Sequence, residues 1–343
     1  MKPGLVYHPI YLEHDTGHHV EKAQRLVETM ALLEKSGLLE KLVSLSPPAA
    51  AVEDVLLVHS IDHVSRIESV ARSGGGWLDA DTVMSPASYE VALYAVGGVL
   101  RAMEAVLAGE VESAFALVRP PGHHATRGRA MGFCLFNNIA IAARKALQSY
   151  GLKRILIVDF DVHHGNGTQD AFYSDPQVLY FSTHEYPFYP GTGGVDEIGY
   201  REGEGATINV PLPAGCGDTE YLRVFQEILV PAARRYQPQL ILVSAGYDPH
   251  WTDQIALMQV TVEGFARMAE ILKSLAEELC QGRLVFSLEG GYSTTALAAS
   301  VKATLEVLQG ESEIQDPLGK PRMREAPSIE PLLQELKRIH ALA

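Results

Sequence analysis

The segment Arg154–Phe172 reads RILIVDFDVHHGNGTQDAF, an apolar run that ends by delivering Asp159, Asp161, His163 and His164 in close succession. On extended backbone, alternate residues project to one side, so Asp159, Asp161 and His163 share a side at the end of a buried strand. Three such groups taken out of water need a cation or a hydrogen-bond network to offset their desolvation. One histidine and two aspartates form a three-ligand set for a catalytic zinc that keeps a position open for water. Iron, cobalt and manganese accept the same mixed oxygen and nitrogen donors, so the donor set leaves the metal open. A closed structural zinc would want cysteines, and only Cys134 lies anywhere near these motifs. Other candidates have two readings each. His123 and His124 in RPPGHHA are a hydrogen-bonded loop pair or functional imidazoles; Asp248 in SAGYD is a turn or cap residue or a site residue; Tyr292 in LEGGY is core packing or a site residue.

The elements that must position these residues are legible as apolar runs. Strands are expected at residues 4–8, 114–118, 154–160, 178–182, 207–210, 240–245 and 284–288. Most are apolar throughout instead of alternating, which marks strands covered on both faces and hence a mostly parallel sheet between helices. Helices are expected from Ser88 to Leu107, over NNIAIAARKALQSYG up to Gly151, over DTEYLRVFQEILVPAARRY with Asp218 or Thr219 as cap, and from Thr261 to Gly282. No Pro/Gly/Ser-rich linker interrupts the alternation, so the fold class is a single-domain, three-layer αβα protein over residues 1–343. Residues 311–328 read as a surface loop leading into a last helix, IEPLLQELKRIHAL. In an open parallel sheet, ligands sit beyond the carboxyl ends of the strands. Here the strand exits are RPPGHHA, DVHHGNG, THEYPFYPGTGG, GYDPHWTD and EGGY, so five strands send polar groups and glycines to one sheet edge.

Composition bounds the function. The chain is 47% hydrophobic and 20% charged, the balance of a globular protein with a large core. Twenty-eight basic residues against 42 acidic ones give a net charge of −14, which argues against gripping a nucleic-acid backbone and tolerates cationic partners. Three widely spaced cysteines fit no disulfide framework and point to a reducing, cytoplasmic setting. The start lacks the apolar core of a signal peptide, and no apolar run is long enough to span a membrane. The oligomeric state is left open.

In their order and spacing, RPPGHHA, GFCLFNN, VDFDVHHGNGTQ, SAGYD and LEGGY resemble the zinc-dependent histone deacetylase family and its bacterial relatives, the acetylpolyamine amidohydrolases and similar deacylases. The resemblance spans about residues 4–310, with HDTGHH…RL and YPGTGG matching too; HHGNGTQ and SAGYD are nearer the class II branch and the bacterial enzymes. It implies an arginase/deacetylase-like fold and zinc bound by Asp161, His163 and Asp248. His123 and His124 become tandem catalytic histidines, with Asp159 behind the first and Asn166 behind the second, and Tyr292 polarises the substrate carbonyl. A structural potassium falls to Asp159, Asp161, His163 and Ser182, and a narrow acyl-lysine tunnel to Gly132, Phe133, Tyr189 and Gly291.

Chemistry gives these roles a reason. Amide hydrolysis needs an activated water, a stabilised oxyanion and a proton for the departing amine. A carboxylate neighbour holds an imidazole charged and a neutral amide does not, so His123 beside Asp159 is expected to be the cationic partner and His124 the general base and acid. The sequence also departs from the family pattern. Tyr189 stands where phenylalanine is usual, HVEKAQRL lacks a proline, and PHWTDQIALMQVT replaces a glycine-rich stretch, putting His250 and Trp251 near the rim. Cys134, beside Phe133, is an oxidisable thiol or, on the reading favoured here, a packed and inert one. The expected substrate is N-acyl-lysine of a protein or peptide, the alternative an acetylated polyamine. An arginase-like ureohydrolase, which the tandem GHHA and the GGY speak against, and a non-catalytic acyl-ligand sensor are the remaining readings.

Overall fold

The computed structural model describes residues 2–321 and 326–342. Among them the strands are β1 Gly4–Val6, β2 Val43–Leu45, β3 Gly76–Trp77, β4 Val83–Met84, β5 Ser113–Ala116, β6 Ile155–Asp159, β7 Val178–Glu185, β8 Thr207–Leu212, β9 Leu240–Ala245 and β10 Leu284–Leu288. The α-helices are α1 Gln24–Lys35, α2 Val52–Val55, α3 Ile61–Arg72, α4 Ser88–Leu107, α5 Asn138–Ser149, α6 Asn166–Phe172, α7 Asp218–Val224, α8 Val230–Tyr236, α9 Val262–Cys280, α10 Thr294–Gln309 and α11 Glu330–Ile339.

Eight strands form one sheet in the order β2-β1-β5-β10-β9-β6-β7-β8, parallel at every pairing, while β3 and β4 make a small antiparallel hairpin. Every residue of β6, β9 and β10 is buried. The reason is coverage: α4 packs on β1, β5 and β10 and α5 on β9, while α9 packs on β9 and β10 and is backed by α10, itself packed on α1. A strand with no wet face has no use for alternation.

All seven expected strands form, with shifted ends: β7 continues three residues past Ser182, to Glu185, and β1 stops at Val6. The edge strand β2 and the hairpin were not expected from sequence, since two or three half-buried residues carry no readable period. The helix expected from Asp218 to Tyr236 is broken by a π turn at Phe225–Leu229, just before Pro231, which has no N–H for an i−4 carbonyl. Asp218 is not its cap. Gly217 takes that position, and the Asp218 carboxylate instead receives Thr261 N at 2.8 Å and Thr261 Oγ1 at 2.7 Å, tying the start of α7 to the start of α9. Residues 322–325 of the expected 311–328 loop lie outside the described residues. No helix among the described residues is long and apolar enough to cross a membrane.

Candidate active site

Strands β5, β10, β9 and β6 are neighbours in the sheet, and their carboxyl ends lead into the segments that carry His123 and His124, Tyr292, Asp248, and Asp161 with His163. Chain order scatters these segments over 170 residues; strand order puts them side by side.

Asp161, His163 and Asp248 bring one ligand atom each to within 4.8 Å of one another, all buried. His163 Nδ1 lies 3.0 Å from Asp161 Oδ1 and 3.4 Å from Asp248 Oδ2. Each carboxylate is anchored through its other oxygen: Gly290 N donates to Asp161 Oδ2 at 2.8 Å and Val162 N to Asp248 Oδ1 at 2.9 Å. Gly290 has to be glycine, because a Cβ there would stand 2.1 Å from Asp248 Oδ2 and 2.5 Å from Asp161 Oδ2. Asp248 Oδ2 is buried with no hydrogen-bond donor. Burial and the Asp161 charge push the Asp248 carboxyl up to about 7, His163 offsetting them only in part. Burial would lower His163, but Asp161 and Asp248 outweigh it and hold the imidazole up to about 10. An orphaned oxygen, two opposed carboxylates and one imidazole, braced from behind by backbone N–H groups, fit a divalent metal.

His123, Cys134 and Glu289 also converge, but with their atoms already engaged. Cys134 Sγ donates to Gly132 O at 3.2 Å, and the Glu289 oxygens accept from Gly122 N at 2.6 Å, His123 N at 3.2 Å and Ser244 Oγ at 3.1 Å. Burial, then the Glu289 charge, hold the Cys134 thiol well above its ordinary value, so it keeps its proton. Glu289 therefore fastens the backbone that presents the histidines.

The histidine rings lie 4.0 Å apart between centroids, tilted at 44°, yet face different partners. His123 Nδ1 lies 3.0 Å from Asp159 Oδ2, and that carboxylate also accepts from Tyr180 Oη at 3.1 Å. Burial alone would lower His123; Asp159 and Asp161 outweigh it and raise the imidazole to about 10. His124 Nδ1 lies 2.8 Å from Asn166 Oδ1. An amide oxygen only accepts, so Nδ1 carries the hydrogen and Nε2 the free lone pair. Burial, then the neighbouring His123 and His163, hold His124 well below the ordinary imidazole range. Asn137, from GFCLFNN, caps α5 through Ala140 N at 3.0 Å and donates to Ala125 O at 3.3 Å, fixing the loop just beyond the pair.

The residues expected as a tunnel do reach these groups. Phe133 stands edge-on to Tyr292 at 5.7 Å and to His19 at 4.5 Å; Tyr189 stands edge-on to His124 at 5.2 Å. Gly132 and Phe133, at φ of 55° and 67°, are the two central residues of a turn closed by Met131 and Cys134. Two left-handed residues in succession make a type I′ geometry that disfavours a phenylalanine. It is held there by Thr82 Oγ1, 3.1 Å from Phe133 N, and a Cβ on Gly132 would strike the His124 ring at 2.3 Å. Gly291 is buried against Tyr247, with its carbonyl on Arg25. Phe188, not singled out from sequence, stacks on His163 at 5.4 Å. Ser182 pairs in register with Asp159 across β6 and β7, and its hydroxyl meets His184 Nδ1 at 2.9 Å. His164 bonds Thr192 and Gln169, away from the ligand cluster.

Behind the site lies a buried ionic network that sequence reasoning missed. Glu21 takes Arg25 Nη1 at 3.0 Å and Arg119 Nε and Nη2 at 2.6 and 2.9 Å, all fully buried. Arg25 also donates to Gly291 O at 2.7 Å and Glu289 O at 2.5 Å and lies 5.0 Å above the Tyr292 ring. Burial alone would raise the Glu21 carboxyl, but Arg119, His14 and Arg25 hold it down to about 2. A depressed acid stabilises the fold above its unfolded pKa, about 4.3, and that contribution fades as pH falls toward 2. Glu21→Gln leaves two buried guanidiniums without their counter-charge. Its expected cost is about 3–5 kcal/mol, read by denaturant unfolding at pH 7, with the gap to the parent closing in acid.

The chain matches the Histone deacetylase domain over residues 19–308. It is 41% identical to a probable deacetylase of Archaeoglobus fulgidus over 99% of this chain and 98% of that one. It is 40% identical to the human polyamine deacetylase HDAC10 over 91% of this chain and 48% of that protein. The crystal structure of the HDA15 HD domain superposes with a TM-score of 0.90 at 34% identity, covering 99% of this chain and 94% of that one.

Proposed function

From the premise that the chain belongs to the histone deacetylase family and hydrolyses acetyl amides, we propose that it is a zinc enzyme removing acetyl or related acyl groups from lysine side chains of peptides or proteins. The observation that carries the proposal is the meeting of Asp161, His163 and Asp248 beside two histidines of opposite electrostatic character. Zinc, when bound, supplies a Lewis acid that acidifies a water and polarises the scissile carbonyl. His124 Nε2 takes the water's proton and returns one to the leaving amine nitrogen, since its other nitrogen is committed to Asn166. His123 stays cationic against Asp159 and stabilises developing negative charge. Burial, then the Asp248 carboxylate, keep the Tyr292 phenol well above its ordinary value. It therefore stays protonated and donates to the carbonyl oxygen. On this reading Phe133 and Tyr189 would flank the acyl-lysine stem, and Asp159, Asp161, His163 and Ser182 would hold a structural potassium.

A peptide or protein partner is favoured by apolar side chains left exposed on segments bonded to the site. Trp77, Tyr186, Tyr189 and Leu257 stand exposed on segments tied to the tunnel residues and ligand loops, giving a contact surface beyond the tunnel itself. A second reading, an acetylated polyamine, is supported by the 40% identical human relative named for that activity and by the acidic charge. A turnover panel decides: acetyl-lysine peptides, longer acyl-lysines and acetylpolyamines, each with and without chelator. Hydrolysis of acyl-lysine peptides that chelator abolishes and zinc restores is expected. Faster turnover of acetylpolyamines would favour the second reading, and no turnover by metal-loaded protein on any member would sink both.

A further inference from the structure

The segment Pro249–Val260, where the sequence departs from the family's glycine-rich pattern, holds Tyr292 as well as following Asp248. We infer that Asp253 is a positioning residue for Tyr292, setting the height of its hydroxyl over the cluster Asp161, His163 and Asp248. The inference rests on the function proposed above.

Asp253 is nearly fully buried, and its Oδ2 accepts Tyr292 N at 2.6 Å and Ser293 N at 3.0 Å, while Oδ1 accepts Ile255 N at 3.2 Å. These are the last two amides before α10 begins at Thr294. Ser293 occupies the cap position, but its side chain makes no bond to its own helix. Its hydroxyl turns outward to Thr252 Oγ1 at 2.9 Å, which in turn meets His250 Nδ1 at 3.0 Å. One loop thus holds the chain entering α10 and fixes the backbone of Tyr292 in the same stroke. The loop is itself braced, with Asp253 N on His250 O at 2.8 Å and Trp251 N and Val260 N exchanging bonds with Val260 O and Pro249 O at 3.0 and 3.1 Å. On the far side, Arg25 lies over the Tyr292 ring and binds the carbonyls of Glu289 and Gly291. The tyrosine is therefore clamped through its amide by a carboxylate and through its ring by a guanidinium. A flexible glycine-rich loop would lack the hydroxyl and imidazole that tie Ser293 to this segment.

Asparagine at 253 keeps the shape but sets an NH2 against at least one of the three amides. Two readouts separate positioning from simple support. Amide exchange over the peptide containing residues 289–297 is expected to quicken at least about tenfold in Asp253→Asn, because a charged acceptor for two amides is gone. This readout is independent of substrate, so it stands even if the proposed reaction fails. In turnover of an acetyl-lysine peptide, Asp253→Asn is expected to lower kcat about 10- to 100-fold with KM little changed, since Tyr292 acts in the transition state. In a Tyr292→Phe background the same change should cost less than about twofold, the signature of coupled residues. Unchanged exchange overturns the inference, as does an equal fold-loss in both backgrounds; wild-type protein inert on every acylated amine instead overturns the reaction while leaving the exchange result to decide the anchor.

Discussion

His124→Ala is expected to lower kcat/KM by about 10³-fold or more, within the range for removing a general acid–base group, and His123→Ala by a smaller factor. The two rings touch, so position alone does not distinguish them. What does is the partner behind each: a carboxylate 3.0 Å from His123 Nδ1, an amide oxygen 2.8 Å from His124 Nδ1. A base works when deprotonated, and His124 is held below the ordinary imidazole range, so the wild-type rate should rise through an acid limb below about 6.5 and stay flat through neutrality. His123 is held above that range and works while charged, so its loss of a proton should set a falling alkaline limb. His124→Ala should erase the acid limb, and His123→Ala the alkaline one, in pH profiles of kcat/KM. Greater residual hydrolysis without His124 than without His123 would reverse the roles. Asn166→Asp offers a control of the same logic: giving His124 a charged neighbour should move the acid limb upward.

The second large effect concerns Asp248. Asp248→Asn is expected to weaken metal binding by more than the roughly 10- to 100-fold typical of losing a supporting group one shell out, and activity should vanish with the metal. Stability should move the other way. Asp248 and Asp161 are opposed buried carboxylates, and the asparagine keeps an oxygen for Val162 N while removing the repulsion. In chelator, therefore, the variant should melt no lower than the parent; with zinc, only the parent should gain, by linkage to the bound ion. Metal content by mass spectrometry and melting curves with and without zinc check both halves. A variant that keeps stoichiometric metal, or that melts well below the parent in chelator, would show the aspartate to be structural instead of a ligand.

Much of this arrangement is legible in the sequence. The mostly apolar, non-alternating runs at 155–159, 240–245 and 284–288 pointed to a sheet covered on both faces, and such a sheet collects its ligands at one edge. Polar groups at five strand exits marked that edge, and the ordered motifs named the chemistry. Edge strand Val43–Leu45, the hairpin at 76–84 and the π turn were not legible, because each depends on what packs against two to five residues. Glu21, Arg25, Glu289 and Asp253 escaped notice for a different reason. A lone charged residue in a helix or loop reads as solvated, and nothing local says that it is buried.

The sequence by itself determined which residue types stand at the strand ends, and therefore that a buried cluster of two carboxylates and an imidazole had to be balanced by a cation or a hydrogen-bond network. The tertiary structure decided who faces whom. Asp159 reaches His123 from a strand three places away in the sheet, Glu21 joins Arg25 to Arg119 across almost a hundred residues, and Asp253 meets the amide of Tyr292 from a separate loop. These pairings follow strand order, not chain order, and the protonation state of each imidazole depends on charges within a few ångströms, a distance along which sequence separation has no meaning.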